Sequence, residues 1–350
     1  MPRAVQWLED AQRGIFADLQ WAYETGIEPG NADLVCIRER DEASIRDCEW
    51  VVKQIDPDTH GFDQGLADEQ EAFLRELYEG IENLNDACAF MASYRFRGFA
   101  HLNPWNREDD PTYIKELHPL DQWNLTREGY RGAWKWNPDA RQVAFASLPA
   151  ANLLAPEEYV FLETRRPVNR IALIGHVRAT TAEKDWDAYV EIYGLPGVFV
   201  IMPENVPDDK VADYLEAAES AAEQASGALP AGSQVVTAQE ARSSQPFQPR
   251  LEWIQKQVVL AGTGGLLTML AESGSGTLAG SVHDQAFKQI ARGVARRISQ
   301  AFQQQIDKRR CAAKFPGRPV QAYFELTTPE YRNQDKAVAN VVALAGQGLK

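Results

Sequence analysis

The chain has 350 residues, 44% of them hydrophobic and 25% charged, and a formal net charge of -14. That length suits two or three domains with substantial cores, and the acidic balance argues against duplex binding by a broad basic patch, because a polyanion would be repelled at long range. No stretch reaches the roughly eighteen uncharged apolar residues of a membrane span, and the first residues, MPRAVQWLEDAQ, read as an acidic amphipathic segment and not as a signal peptide.

Val5, Leu8, Ile15, Leu19 and Trp21 predict a helix pair over residues 4–24. Asn31 opens another helix through Leu34, Ile37, Ala43 and Ile45. Its outer side carries Arg38, Glu39, Arg40, Asp41, Glu42, Arg46 and Asp47, which reads as a solvated face with i,i+4 pairs. From Cys48 the run CEWVVKQI is strand-like, and His60 to Asp63 is loop. Asp68 begins a helix through Phe73, Leu74, Leu77, Ile81 and Leu84, followed by one from Asn85 to Tyr94 that stops near Gly98. Between Phe99 and Tyr159 the pattern is one of short strands and turns, holding Trp105, Trp123, Trp134 and Trp136. Such aromatics can form a sugar platform or a base-stacking surface; more often they anchor a small antiparallel sheet against helices.

The clearest local signal runs from Thr180 to Met202. Thr180 or Thr181 can cap a helix, with Glu183 and Asp185 complementing its positive end. Trp186, Tyr189, Val190 and Tyr193 then recur at three- and four-residue steps on one face, and Gly194 and Pro196 stop the helix. Val198 to Ile201 reads as a strand covered on both sides. A surface helix begins at Asp208, with a thin stripe of Tyr214, Leu215, Ala218, Ala222 and Ala225, and a strand follows over Ser233 to Thr237. Residues 203–242 thus form a small strand-helix-strand unit inserted between longer elements.

Arg242 to Pro249 reads as a polar linker and Leu251 to Leu260 as a helix. Gly262 to Ser281 holds one charged residue, Glu272, and its glycines and serines predict a mobile loop. The longest helix pattern runs from Val282 to about Cys311. Over 282–310, Lys288, Arg292, Arg296, Arg297, Lys308, Arg309 and Arg310 stand against Asp284 and Asp307 alone, so positive charge is concentrated here. Val320 to Leu326 alternates as a strand, and a terminal helical segment begins at Thr327.

Catalytic and cofactor signatures are missing. No lysine lies from Ala261 to Asp284, so the glycine-rich stretch is not a phosphate loop, and Leu267 stands where a dinucleotide fingerprint needs its third glycine. Cys36, Cys48, Cys88 and Cys311 are scattered, with no C-x-x-C pair. His60, His101, His118, His176 and His283 stand apart from one another and read as surface or capping residues. The expectation is a non-enzymatic chain without cofactor or metal.

The order of features resembles the portal proteins of tailed bacteriophages, in particular the Mu-like portal family. The resemblance rests on CIRERDEASIRDCEWVV, on LHPLDQWNL with GAWKWNP, on KDWDAYVEIYGLPGVFVIMP, and on GALPAGSQV and GTLAGSVHDQAF. It implies an α+β portal-type fold: a mixed wing over 1–167, a stem helix over 168–194, a small α/β clip over 195–246 and a second stem helix over 247–262. A tunnel loop over 263–281, a long helix returning to the wing over 282–326 and a shortened crown segment over 327–350 would follow. The implied loop residues facing DNA are Thr263, Gly264, Gly265, Leu266, Thr268, Ser273, Ser275 and Thr277. The stem-clip junction would be Trp186, Tyr189, Tyr193, Gly194 and Pro196, while Lys288, Arg292 and Arg296 would face the channel or a neighbouring subunit.

The resemblance also implies a twelve-subunit ring at a capsid vertex of the virion. Double-stranded DNA would pass without sequence specificity, and the terminase large subunit, a head-tail adaptor and the major capsid protein would be partners. Two other readings compete: an α+β enzyme with a tryptophan-rich carbohydrate or nucleotide site in 99–159, and an α-helical adaptor without a pore.

Overall fold

The computed structural model describes residues 2–129, 131–138, 140, 159–193, 198–202, 207, 210–222, 234–237, 247–264 and 277–328, with backbone alone at 192–193, 198–199, 220–222, 235–237 and 277–286. The chain divides into two compact units, one of Met1–Ile174 with Gln257–Lys350 and one of Gly175–Lys256.

In chain order the first unit begins with α1 (Pro2–Gln12) and α2 (Ala17–Ala22), which runs on into a π-helical turn, Tyr23–Ile27. Helix α3 (Ala32–Arg46) starts where Asn31 predicts, its side-chain oxygen accepting from the Asp33 and Leu34 amides at 3.1 and 3.2 Å. The charged side of α3 is not the solvated face expected from sequence. Asp41 and Glu42 are buried, and Arg95 grips Asp41 through two hydrogen bonds of 2.9 Å while Arg38 bridges Glu28 and Glu42 at 2.9 Å. Glu42 is held by Arg38 and Arg46 at the expected i,i+4 spacing, whereas the partner that makes burial of Asp41 tolerable, Arg95, comes from a segment more than fifty residues away, beyond the reach of helical periodicity.

Strand β1 (Glu49–Gln54) is followed by α4 (Gln64–Glu79), α5 (Leu84–Ala92) and α6 (Tyr94–Arg97). Helix α4 opens four residues before the predicted Asp68, because the Asp63 side chain accepts from the Leu66 amide. Strands β2 (Phe99–Asn106), β3 (Ile114–Pro119) and β6 (Val160–Glu163) form an antiparallel sheet of order β3-β2-β6, while β4 (Leu125–Arg127) pairs with β5 (Trp134–Trp136).

Helix α7 (Asn169–Tyr193) carries the chain into the second unit, which holds β7 (Val198–Ile201), α8 (Val211–Ala222) and β8 (Gln234–Thr237). Helix α9 (Phe247–Thr263) carries it back. Helix α7 begins one residue from the 168 given for the stem helix, and it corrects the reading of a cap within it. Thr180 and Thr181 are no caps: their hydroxyls donate to the carbonyls of His176 and Val177, four residues back inside a continuous helix. Helix α9 likewise takes up the end of the expected linker, since Pro249 falls in its first turn, where a missing amide costs no helical hydrogen bond.

Helix α10 (Thr277–Phe302) continues through a second π-helical turn, Gln303–Asp307, into α11 (Lys308–Lys314), and the chain turns into β9 (Ala322–Thr327). It starts five residues before the predicted Val282, since one glycine within its first turns costs only about 1 kcal/mol. Strand β9 pairs antiparallel with β1, Glu49 opposite Thr327 and Gln54 opposite Ala322. The core lies on this pairing: Phe73, Leu74, Leu77 and Tyr78 of α4 meet Val52, Ile298, Phe302 and Phe324. The Tyr78 and Phe324 rings are 4.4 Å apart. Buried Asp307 locks the assembly, accepting from the Tyr78 hydroxyl at 2.5 Å and the Phe324 amide at 2.7 Å, and burial pushes its carboxyl up to about 7. Two residues earlier, Gln305 uses both halves of its amide on the backbone of Phe161 in the edge strand β6, accepting from its N–H and donating to its carbonyl, each at 3.0 Å.

Candidate functional site

In the second unit the aromatic stripe of α7 has a definite partner. Trp186 stacks on Phe247 of α9 with ring centroids 6.2 Å apart and planes within 4°, and Tyr189 tilts against the same ring at 5.7 Å. Offset stacking of this kind fixes two helices against each other along one seam. Val190, expected on the same stripe, faces solvent instead; it sits one step further around the helix. The side chain of Tyr193, with Gly194 and Pro196, lies outside the described residues. Strand β7 pairs antiparallel with β8, Val198 opposite Thr237 and Ile201 opposite Gln234, and α8 packs on β7 with Tyr214 buried. Ile201 is 51% exposed and Leu215 of α8 64%. The strand is therefore not covered on both sides, because a helix with so thin an apolar stripe shields only part of it.

The end of α9 places the first of the predicted loop residues. Thr263 belongs to the helix and is fully buried, its hydroxyl donating to the Val259 carbonyl at 2.8 Å. Gly264 follows with φ of +71°, its amide donating to the Leu260 carbonyl, which is how a left-handed glycine closes a helix. Gly262 lies so close to Ile37 of α3 that an added Cβ would come within 2.6 Å of its side chain, and the Arg95 guanidinium donates to the Gly262 carbonyl. Thr277, in turn, opens α10. Thr263, Gly264 and Thr277 are thus helix boundaries, and Gly265, Leu266, Thr268, Ser273 and Ser275 lie outside the described residues.

On α10 the basic residues separate by task. Phe287, Ala291, Val294, Ala295 and Ile298 are buried. Arg297 donates to the Glu163 carbonyl at 2.9 Å and lies over the Tyr94 ring at 4.8 Å. Further along, Arg310 donates to the carbonyl of Pro111 at 2.6 Å and to Asn106 at 2.7 Å. Arg292 and Arg296 are exposed, and Lys288 is partly buried. No ion pair or hydrogen bond involves the side chains of Arg292 and Arg296 among the described residues.

The tryptophans of 99–159 give no common platform. Trp134 is buried against Phe16 and Phe99, Trp105 stacks on His118 with centroids 4.6 Å apart, and Trp123 meets Trp21 edge-on. Among the described residues no group of His, Cys, Asp and Glu could hold a metal ion, and no helix is long and apolar enough to cross a membrane.

Three features escaped the sequence reading. Arg97 is buried with Glu28, Nε donating at 2.5 Å and Nη2 at 2.8 Å, while Nη2 also reaches Glu24 at 2.7 Å. Its signal was a charge inside the apolar run FRGFAHL. His101 is fully buried, not a surface residue, and neither ring nitrogen has a hydrogen-bond partner; strand alternation next to Ala100 and Leu102 did not single it out. A surface recess of about 360 Å³, lined by Tyr78, Glu79, Ile81, Glu82 and Asp86 among others of one stretch, is completed by Trp50 of β1, so it joins two chain segments.

This arrangement of strands, long helices and inserted β7-α8-β8 unit is a fold shared with chains of solved virus-like particles. It matches a chain of the virion of a native gene transfer agent particle with a TM-score of 0.62 at 12% identity, over 94% of this chain and 89% of that one. A chain from the neck of the native particle computed with C12 symmetry matches equally, at 12% identity over 95% and 89%. The family model described as the portal protein of Mu bacteriophage matches residues 35–350, and the chain belongs to that family. A Mu-like prophage FluMu protein gp29 of Haemophilus influenzae is 30% identical over 118 residues, 33% of this chain and 23% of that relative's length.

Proposed function

We propose that the chain is the subunit of a ring at one capsid vertex of a virion, through which double-stranded DNA is packaged and ejected, and that its role is structural and not catalytic. Membership of the Mu portal family over residues 35–350 is the observation that carries this reading. The twelve-fold state takes its support from the similar neck chain computed with C12 symmetry. In this reading 1–167 and 282–326 make the wing, 168–194 and 247–262 the stem, and 195–246 the clip that meets the terminase large subunit and later the head-tail adaptor. The wing meets the major capsid protein, and 327–350 belongs to the crown. The DNA-facing loop narrows to 265–276, because α9 reaches Thr263, Gly264 closes it and α10 starts at Thr277. Trp186 and Tyr189 stiffen the stem helix leading to the clip by stacking on Phe247.

The test is direct. Purified chain is expected to give ring-shaped particles by negative-stain microscopy, with twelve-fold averages and a matching mass by native mass spectrometry. A strictly monomeric or dimeric species under assembly conditions would overturn the reading.

A further inference from the structure

From Phe287 to its end α10 carries no acidic residue, and one side of it is a cationic ridge. Gln289, Arg292, Gly293, Arg296 and Gln300 face solvent, and no carboxylate occurs in sequence between Asp284 and Asp307. Arg292 and Arg296 lie one helical turn apart and bond to nothing among the described residues. In the same compact unit, the recess at the end of α4 has the opposite character. Glu79 and Glu82 stand exposed on its rim, their carboxylates also without ion pair or hydrogen bond among the described residues. Asp86 is loosely shared with Arg46 at 3.4 Å, and the Trp50 side chain forms part of the wall.

A guanidinium is best held by a carboxylate at its edge and an aromatic ring at its face, and the recess offers both. Resting on the ring reading above, we propose that the α10 ridge of one copy docks Arg292 and Arg296 onto the Trp50, Glu79 and Glu82 recess of a second copy. A closed ring is built from a heterologous contact, in which each subunit presents two different and complementary patches; this chain carries one of each sign. The charges steer and register the contact, and the aromatic wall shields it from water. DNA phosphates would satisfy the two arginines but leave the unpaired carboxylates of the recess unexplained.

Charge reversal in alternation tests this. Arg292→Glu/Arg296→Glu and Glu79→Lys/Glu82→Lys are each expected to lower the fraction of subunits in rings by about tenfold under conditions where the unaltered chain assembles. Mixed in equal amounts, the two variants are expected to recover rings in which they alternate, because every contact then regains opposite charges; native mass spectrometry reads the six-to-six composition of a twelve-fold ring. Rings formed by either variant alone, or a mixture that stays unassembled, would overturn the proposal. So would arginine variants that form normal rings but lose retention of packaged DNA, since the ridge would then face the channel. Circular dichroism of each variant checks folding; should a reversal pair unfold, the Gln pairs at the same positions must still weaken assembly. Absence of rings from the unaltered chain would remove the portal reading itself, an outcome distinct from all of these.

Discussion

His101 sits in a box of rings: Trp134 at 4.5 Å, Phe161 at 5.4 Å, Tyr159 at 5.5 Å and Phe99 at 5.8 Å between centroids. Burial, helped by the charge of Arg127, pushes its pKa from 6.5 down to about 3. The folded value lies below the unfolded one, so between these limits the unfolded chain binds more protons and stability falls with falling pH; above 6.5 the contribution is complete. Asp307 acts in the opposite sense. Its folded value of about 7 exceeds the ordinary 3.8, so the folded chain binds more protons across that window and stability falls as pH rises. The two slopes partly cancel in the unaltered protein. Comparing it with His101→Leu at each pH removes the Asp307 slope, and the variant is expected to gain about 3 kcal/mol relative to the unaltered protein between pH 7 and pH 4 in urea unfolding. A difference that stays flat over this range would mean that the protonated imidazole finds a partner or solvent.

Helix ends are where sequence and structure part most often. The cap at Asn31 was legible, because a cap acts through neighbours in sequence. The starts of α4 and α10 were placed late, and so were those of α7 and α9 where the apolar stripe alone was followed, although the portal resemblance put them at 168 and 247; a strong stripe draws attention to the middle of a helix while its first turn is fixed by tertiary packing. The pairing of β1 with β9 was not legible either: both strands alternate acceptably, but their union depends on Asp307 and the Tyr78 ring some 230 residues apart. Of the candidate site, the Trp186 and Tyr189 face and the basic run on α10 could be read directly, whereas the Glu79 and Glu82 recess exists only after folding. The contact of α9 with α3 shows how tightly one element end is set. Gly262→Ala is expected to cost about 1–3 kcal/mol in thermal or denaturant unfolding, because its methyl would have to displace Ile37. A loss below a few tenths would show that α9 can slide at this point.

At the scale of the molecule, charge is the governing quantity. With -14 overall and its positive excess gathered on one helix pattern, a ring of copies, on the function proposed above, should repel duplex over most of its surface, as a conduit must if DNA is to move through it. Purified rings are therefore expected to leave duplex unretarded in gel-shift assays at about 0.1 M salt; tight binding that weakens steeply with salt would contradict passage without holding. Many copies brought together also make a second demand, and Gln305 answers it. Strand β6 ends its sheet, and an open strand edge is a template on which another chain can add by backbone pairing. By bonding both the N–H and the carbonyl of Phe161, the Gln305 amide occupies that edge as a further strand residue would. Association of subunits is thereby channelled away from indefinite cross-β stacking and toward contacts between side chains, which can close.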